Sequence, residues 1–413
     1  MRLLNYAMMS ALFLAGCATM PTDNSDFKTI GETVIEANTL FTSDFLSELS
    51  TSESGNIFVS PLSLSTAMGM LEAGAAGETK SEINRVFRYP KTDIHAALGG
   101  LREAASRTVA PGPYDESDPQ ITSIANSVWT DKSMQLKPEY LRILDEGYGL
   151  APEPLDFANS ADKSRETIND WVESKTNDKI QDLLKKSNVT PMTRVVLVNT
   201  IYMMSHWQDV FYEGKTKPVP FYIDGGDADT RDLMHQTQDY QRLKVKGGEA
   251  LKIPYANKTS MIVIRPKGKR GLESVNAMMT QSTLREVLET IDQVPYVRTD
   301  LALPKFKLKA RYELNEPLQN MGLNTIFTDA ADFSNMSDEG GLRVSNIIQQ
   351  VFLDVNEKGT EAAAATAATI VAVSARLNPP KPEPFIVDRP FIMLIRDDVT
   401  GSIMFAGRIT NPS

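Results

Sequence analysis

The chain has 413 residues, of which 41% are hydrophobic and 23% are charged, a balance typical of a globular protein with a sizeable core. Its formal net charge of −10 argues against nucleic acid as the main partner, because phosphates repel an acidic surface. With one cysteine and three histidines, the sequence offers no disulfide, no thiolate metal site and no recognisable histidine-based catalytic motif. We therefore expect neither a cofactor nor a bound metal.

The first residues have the pattern of an export signal. Arg2 supplies positive charge, and the apolar stretch from Ala7 to Ala15 is too short to span a bilayer. The following Gly16-Cys17 completes a motif that resembles the lipobox of bacterial lipoproteins, in which the cysteine is lipidated after cleavage. This predicts a signal peptide over residues 1–16 and a lipidated tether over 17–26, anchored to a bacterial membrane or cell surface. A plain secretory signal cleaved nearby, which would give a secreted protein, is the alternative.

Hydrophobic periodicity predicts mostly helices in the N-terminal half. Apolar spacing indicates helices over residues 27–49, 62–75 and 164–174, and a further helix that begins at Gly77 with Thr79 as its N-cap. A short strand before Pro61 and an alternating strand over residues 121–129 complete this half.

Strands dominate the C-terminal half. The apolar run over residues 195–203 is typical of a strand buried on both faces. Two further strands are predicted at 251–255 and 260–264, joined by a turn at Asn257. Single strands are predicted at 301–308 and 351–355, and a hairpin is predicted from 391–395 and 402–409. One helix is predicted at 276–291. Helices first and strands later indicate an α+β protein.

One segment near the C-terminus could be either a loop or a strand. Glu357-Lys358-Gly359-Thr360-Glu361 leads into an alanine-rich tract, and no proline occurs from Gly359 to Asn378. Composition alone equally allows an exposed helix, because alanine is the best helix former.

As a strand, this tract would have one face that can be buried. If Thr360 points into a core, the same face carries Ala362, Ala364, Thr366, Ala368, Ile370 and Ala372, none of them charged. Glu361 falls on the opposite face, and the absence of proline preserves every ladder hydrogen bond.

Several motifs, in this order and spacing, resemble those of the serpins, the serine protease inhibitors, over essentially all of residues 27–412. They are Asn56-Ile57-Phe58-Val59-Ser60-Pro61-Leu62-Ser63, Ile168-Asn169-Asp170-Trp171-Val172, Leu197-Val198-Asn199-Thr200-Ile201-Tyr202, Leu303-Pro304-Lys305-Phe306, Ala331-Asp332-Phe333-Ser334, Arg389-Pro390-Phe391 and Phe405-Ala406-Gly407-Arg408.

The resemblance implies a single serpin domain over residues 27–413, with eight or nine helices around three β-sheets and an exposed reactive-centre loop at about 357–384. It assigns a hinge to Glu357, Gly359, Thr360, Ala362, Ala363, Ala364 and Ala365, and a sheet-opening region to Ser60, Ser63, Asn199, Gln349, Trp207 and Lys305. It pairs Glu357 with Lys305. The family commonly has a histidine where this chain has Gln349, which puts the strength of that contact in question.

The resemblance also implies a function. A serpin traps its target as a covalent 1:1 acyl complex after cleavage about fourteen residues beyond the hinge glycine, which places the reactive bond at Val373-Ser374. A β-branched residue there suits elastase-like or broad subtilisin-like proteases, and we expect a monomeric inhibitor. Cleavage beside a neighbour, Ala372 or Ser374, or after Arg376 by a trypsin-like protease, remains open.

Two other functional classes are weighed against inhibition. A non-inhibitory serpin-fold binding protein would be favoured by bulky, charged or proline residues among the hinge positions 362–365, where this chain has only alanine. An enzyme is poorly supported, because no Gly-x-Ser-x-Gly, phosphate loop or metal-ligand spacing occurs. The charges from Arg265 to Arg270 are expected to be solvated turn residues, with a weak polyanion site as the alternative.

Overall fold

The computed structural model describes residues 24–109, 120–224, 227–268, 271–360 and 381–413, apart from the side chains of 24–30, 224 and 227. Nine α-helices lie in this part of the chain: α1 (Asn24–Ser52), α2 (Pro61–Gly74), α3 (Gly77–Val86), α4 (His95–Ala105), α5 (Pro138–Tyr148), α6 (Phe157–Lys175), α7 (Gly271–Asn276), α8 (Gln281–Thr290) and α9 (Asn315–Asn320).

The first sheet of the described residues has nine strands. In spatial order they are β1 (Ile57–Val59), β16 (Ile403–Ile409), β15 (Phe391–Asp397), β9 (Thr259–Pro266), β8 (Gly248–Pro254), β7 (Asp227–Val245), β10 (Tyr296–Pro304) and β14 (Glu383–Ile386), with β6 (Lys217–Asp224) beside β7. Neighbours are antiparallel except β10 and β14. The predicted pairing of 251–255 with 260–264 and the terminal hairpin are both confirmed.

The second sheet has seven strands. Their order is β11 (Phe306–Glu313), β12 (Ile348–Val355), β13 (Gly359–Thr360), β5 (Val195–His206), β3 (Gln120–Asp131) and β2 (Arg107–Val109), with β4 (Glu153–Leu155) beside β3. The predicted strand at 121–129 is β3 and the apolar run at 195–203 is β5.

Helix α2 occupies the centre of the molecule. Every one of its residues is buried, and it packs against β16 of the first sheet and against β3 and β5 of the second. Proline is tolerated at its first position, and the Ser60 hydroxyl caps it by accepting a hydrogen bond from the Ser63 N–H. The opposite face of the seven-stranded sheet is covered by α6 through a separate cluster that includes Trp129, Phe157 and Ile168. The α+β class expected from the sequence is confirmed.

Three local predictions were wrong. Thr79 does not cap α3, whose N-cap is Ala76; its hydroxyl instead accepts a hydrogen bond from the distant Asp332 N–H at 2.9 Å. The helix expected to begin at Asn276 begins at Gln281, because α7 ends at Asn276 and Thr280 is extended and caps α8. The strand expected at 301–308 is broken at Lys305, where β10 ends and β11 begins in the other sheet.

Candidate functional site

The seven-stranded sheet is partly open at its centre. Strands β5 and β12 are parallel neighbours but pair directly over only three residue pairs, from Asn199 with Gln349 to Ile201 with Val351. Beyond them, β13 lies between the two strands, with Thr360 opposite both Ser205 and Val355. The residues that lead into the alanine-rich tract therefore already occupy the position of an inserted strand.

A tight turn directs the chain from β12 back into this gap. The Asn356 N–H donates to the Gly359 carbonyl at 2.9 Å, and the Gly359 N–H donates to the Asn356 carbonyl at 3.2 Å. Gly359 has φ +156°, and a Cβ added to it would lie 2.0 Å from the Ser205 carbonyl oxygen. Only glycine permits this close approach of two backbones.

Trp207 holds the turn from the β5 side. Its backbone N–H donates to the Lys358 carbonyl at 2.8 Å, and its indole Nε1 donates to the Asn356 carbonyl at 2.9 Å. Its ring stacks on Tyr255 with centroids 4.3 Å apart and planes 11° from parallel. The indole is thus both a core aromatic and a clamp on the turn.

Thr360 is completely buried at the end of β13. Its hydroxyl lies 2.6 Å from the Tyr255 hydroxyl, so the polar group is satisfied inside the sheet. Burial raises the pKa of Tyr255 well above its ordinary value, although the hydrogen bond with Thr360 acts in the opposite direction. The phenol therefore stays protonated and can donate.

Glu357 anchors the turn electrostatically. Its carboxylate accepts from Lys305 Nζ at 2.9 Å and from the Thr216 hydroxyl at 2.8 Å, while its carbonyl accepts from the Phe211 N–H at 2.8 Å. Burial acts to raise the pKa of Glu357, but the hydrogen bonds from Lys305, from its own backbone N–H and from Thr216 outweigh it and hold the pKa below its ordinary value. The structure thus places the expected pair of Glu357 and Lys305 in contact.

A buried polar cluster closes the sheet just below β13, and we call it the latch: Ser60, Ser63, Asn126, Asn199 and Gln349. The Gln349 amide donates to Asn199 Oδ1 at 2.8 Å and to the Ser60 carbonyl at 3.0 Å, and its Oε1 accepts from the Ser60 N–H at 2.9 Å. Both N–H groups of the amide and its oxygen are used, so glutamine satisfies this position fully.

The second half of the latch ties α2 to β3 and β5. Asn199 Nδ2 donates to the Ser63 hydroxyl at 2.6 Å and to Asn126 Oδ1 at 3.1 Å, and the Ser63 hydroxyl donates to the same Asn126 oxygen at 3.2 Å. The structure therefore brings together all four latch residues predicted from the sequence.

Three members of the site were missed at the sequence level: Asn126, Thr216 and Tyr255. The one available signal was Asn126, an amide in the middle of an alternating strand at a position that turns out to be buried. An amide there requires partners, which sequence alone does not identify.

The remaining predicted residues lie outside the described part of the chain. They are the hinge alanines Ala362, Ala363, Ala364 and Ala365, the proposed bond Val373-Ser374, the alternative Arg376, and the lipidation candidate Cys17. Within the described ranges, no helix has the length and apolarity needed to cross a membrane, and no group of three or more acidic, histidine or cysteine residues is arranged to hold a metal.

Comparison with known proteins identifies the family. The model of the family described as Serpin (serine protease inhibitor) matches residues 36–412. The leukocyte elastase inhibitor of Sus scrofa is 33% identical over 390 residues, covering 92% of this chain and 100% of that protein. Human thyroxine-binding globulin complexed with its hormone has a TM-score of 0.78 at 27% identity, over 93% of this chain and 100% of that one. A loop-inserted, cleaved ovalbumin mutant has a TM-score of 0.80 at 26% identity, over 92% and 100% of the two chains. The chain belongs to the serpin family of serine protease inhibitors.

Proposed function

We propose that the protein is a suicide inhibitor of elastase-like or subtilisin-like serine endopeptidases, cleaved at Val373-Ser374. The observation that carries the proposal is β13, which already lies between β5 and β12 and leads directly into a proline-free tract of small residues. A chain that has begun to insert can continue to do so after it is cut.

The orientation of Thr360 supports insertion of the rest. Thr360 is buried, so the alternate residues Ala362, Ala364, Thr366, Ala368, Ile370 and Ala372 would share its face. None carries a charge whose burial would cost several kcal/mol and stall the process.

The chemistry belongs to the protease. Its serine attacks the Val373 carbonyl carbon, the peptide bond to Ser374 breaks, and the proton goes to the departing amine. About 15 inserted residues at about 3.3 Å each would move the resulting ester by roughly 50 Å. Compression of the protease against the inhibitor would distort its oxyanion hole, so the acyl-enzyme persists.

The target class follows from Val373, the residue before the proposed reactive bond. Valine is small enough for a shallow apolar pocket, and the relative from Sus scrofa is named as an elastase inhibitor. Arg376 would suit the acidic pocket of a trypsin-like enzyme, but cleavage there lengthens the inserted strand by three residues, counted from Val373 to Arg376, and would impair trapping.

The experiment mixes the protein lacking residues 1–17 with an elastase and, separately, with trypsin. We expect an SDS-resistant complex with the elastase and a released peptide that begins at Ser374. Clean cleavage without a complex for both proteases would refute inhibition, and a complex whose peptide begins at Leu377 would move the reactive bond to Arg376.

A serpin-fold binding protein is the second candidate. It is favoured by the similarity to thyroxine-binding globulin, which binds thyroxine. This candidate requires that cleavage in the loop traps no protease, so the same gel distinguishes it.

We further propose that Cys17 is lipidated and anchors the inhibitor to a bacterial membrane or cell surface as a monomer. The support is the lipobox-like motif that ends at the only cysteine. In an expressing bacterium, the wild type should appear in the membrane fraction and incorporate a labelled fatty acid, whereas Cys17→Ser should do neither. Equal labelling of both would exclude this site, and a cleaved, soluble wild type would support the secreted alternative.

A further inference from the structure

A mostly buried polar cluster lies where helix α2 meets α3, α4 and α5, and it has no part in the site described above. We call it the helix junction: Glu72 of α2, Lys80 of α3, His95 of α4 and Tyr148 of α5. Only 6% of the Glu72 side chain and 12% of the His95 side chain are exposed. Because both ionisable groups lie almost entirely out of water, their partners decide which protonation state is stable.

The carboxylate of Glu72 faces both Lys80 and His95. Its Oε1 lies 3.1 Å from Lys80 Nζ, and its Oε2 lies 3.4 Å from His95 Nε2. Oε2 is buried and accepts no hydrogen bond from any other described residue. A proton on Nε2 gives this oxygen its nearest donor, so the proton of the neutral imidazole is assigned to Nε2.

The other ring nitrogen of His95 is then a hydrogen-bond acceptor. Nδ1 lies 2.9 Å from the Tyr148 hydroxyl, which has no second hydrogen-bond partner among the described residues. Apolar groups surround this hydroxyl: a Cβ added to Gly69 would lie 2.5 Å from its oxygen and 2.5 Å from Leu98 Cδ1. Neutral His95 therefore accepts from Tyr148 and directs its N–H towards Glu72 at the same time.

Close packing of α4 on α5 holds the imidazole in place. His95 is the first residue of α4, and a Cβ added to Gly147 of α5 would lie 2.9 Å from the His95 Cβ. One turn further along α4, a Cβ added to Gly99 would overlap the Gly147 carbonyl oxygen. The two helices thus touch through their backbones beside the ring, which leaves the ring little room to move when its charge changes.

A second proton on His95 would disrupt these contacts. Protonated Nδ1 is a donor, so the Tyr148 hydroxyl would accept from it and its own hydrogen would lose its partner in apolar surroundings. The new charge would also lie at the positive end of the α4 helix dipole. Glu72 attracts this charge, but Lys80 already pairs with the same carboxylate and repels the imidazolium.

The ionisable groups around the ring act in both directions. Burial is the largest influence and lowers the pKa of His95, Glu72 and Asp93 raise it, and Lys80 lowers it; the net result is a pKa below the ordinary value. These groups belong to α2, to α3 and to the turn before α4. Helix α1 and strand β3 also contact α4, but within the described ranges they supply none of the charges that shift this pKa.

We propose that the helix junction is an acid-sensitive switch, in which protonation of His95 breaks its contact with Tyr148 and loosens the attachment of α4 to α2 and α5. The proposal requires only the described helices, so it stands independently of the proposed function. Because folding lowers the pKa of His95, its stabilising effect is complete above the ordinary value of 6.5 and is lost as the pH falls through the lowered pKa. Helix α4 also packs on β3, so mild acid would loosen the packing on that side of the seven-stranded sheet.

The first experiment measures hydrogen exchange of the full chain by mass spectrometry between about pH 7.5 and about pH 5.5, where ordinary carboxylates stay ionised. Protection factors, corrected for the intrinsic exchange rate at each pH, are compared for peptides of α4 in the wild type, His95→Asn and His235→Asn. Asparagine at position 95 can accept from Tyr148 and cannot be protonated. His235 of β7 is the matched control, because burial lowers its pKa as well.

We expect the protection of α4 to fall about fivefold over this range in the wild type and in His235→Asn, and to change by less than about twofold in His95→Asn. An equal fall in all three proteins would overturn the proposal, because another group would then be responsible. Constant protection in the wild type would overturn it as well.

The second experiment does not depend on the folding of His95→Asn. The chain has three histidines, so histidine labelled with ¹³C in the ring gives three signals whose titration yields each pKa. The signal of His95 is identified by its absence in His95→Asn or, if that variant does not fold, by its shift in Glu72→Gln. We expect this histidine to titrate below 6.5 in the wild type.

Tyr148→Phe then tests the hydrogen bond itself. It removes the hydroxyl and keeps the ring, so the neutral form of His95 loses its hydrogen bond and the pKa of His95 should rise. The fall in α4 protection with acid should become shallower in this variant. A pKa of His95 that is the same in Tyr148→Phe and the wild type, or one above 6.5 in the wild type, would contradict the switch.

Discussion

At the scale of single residues, Glu357 controls how firmly the turn before β13 is held. Its carboxylate is nearly buried and is fixed by Lys305 and Thr216, whereas Lys305 is half exposed and can be solvated if it loses its partner. Glu357→Ala should therefore release the turn without unfolding the protein. We expect the rate of spontaneous polymerisation or latency on mild heating to rise about fivefold, which corresponds to a barrier lowered by ~1 kcal/mol. Native gels and residual inhibition over time measure this rate.

Lys358→Ala is the control, because only the backbone of Lys358 contacts Trp207 and Asn356. The same rate for Glu357→Ala and the wild type would show that the ion pair does not restrain the hinge.

The effect of Glu357→Ala on this rate should also depend on pH. Because folding lowers the pKa of Glu357, its contribution is complete above the ordinary value of 4.5 and is lost as the pH falls through the lowered pKa. The polymerisation rates of the wild type and of Glu357→Ala should therefore become equal below the lowered pKa.

Gln349 is the centre of the latch, with hydrogen bonds to Ser60 and Asn199. Gln349→Ala would leave Asn199 Oδ1 and the backbone N–H and carbonyl of Ser60 buried without these partners. Each orphaned group costs ~1–3 kcal/mol, so we expect the free energy of unfolding of the native form to fall by about 3 kcal/mol. Urea denaturation measures this, with Gln319→Ala on the exposed face of α9 as a control that should change stability by less than ~0.5 kcal/mol. A loss no larger than that of the control would mean that the latch contributes little to closure.

The residues of the site were predictable to the extent that they lie in recognisable motifs. Ser60, Asn199 and Lys305 each lie in such a motif, and the structure places them around the opening. Tyr255 could not be predicted, because its contact with Thr360 joins positions 105 residues apart. That contact depends on the registers of two different sheets, which no local pattern records.

At the scale of elements, the two residues of β13 lead into the tract that the proposed mechanism inserts into the sheet. Thr360 is fully buried between β5 and β12, so Thr360→Arg would place a charge inside the sheet. We expect this variant to be cleaved as a substrate, with the yield of SDS-resistant complex reduced at least tenfold. Complex yield per cleavage event on denaturing gels gives the measurement.

Glu361→Arg is the matched control, since the alternation of a strand puts residue 361 on the other face. It should keep most of the inhibitory yield. If Thr360→Arg inhibits as well as Glu361→Arg, the end of β13 does not have to be buried during trapping.

Element boundaries were less predictable than element types. The helix expected at 276–291 begins only at Gln281, and the strand expected as continuous over 301–308 is interrupted at Lys305. At Lys305 the chain leaves one sheet and enters the other, where apolar alternation resumes almost at once. A change of sheet leaves hydrophobic periodicity nearly intact, so the sequence does not reveal it.

At the scale of the whole molecule, the described residues form two hydrogen-bonded sheets where the family resemblance implied three. The 19 residues of β7 account for the difference. The strand pairs with β6 and β10 up to Gln241 and with β8 from Gln241 to Val245, so it joins two groups of strands into one network. Its length could not be predicted, because its polar residues obscure the alternation.

The two sheets should differ in local stability, and this is the prediction that concerns the molecule as a whole. In the nine-stranded sheet, β15 is paired on both sides along its length, with β9 and β16. In the other sheet, β5 and β12 join directly over three residue pairs, with cavities below them and β13 above.

The free energy of local opening should therefore be lower along the β5–β12 junction than in β9, β15 and β16. Native-state hydrogen exchange by mass spectrometry should show peptides of β12 exchanging at least tenfold faster than peptides of β15. Cleavage in the loop should abolish this difference, because an inserted strand would pair with the facing edges of β5 and β12. Equal protection of β12 and β15 before cleavage would show that the latch alone closes the sheet as firmly as continuous pairing does.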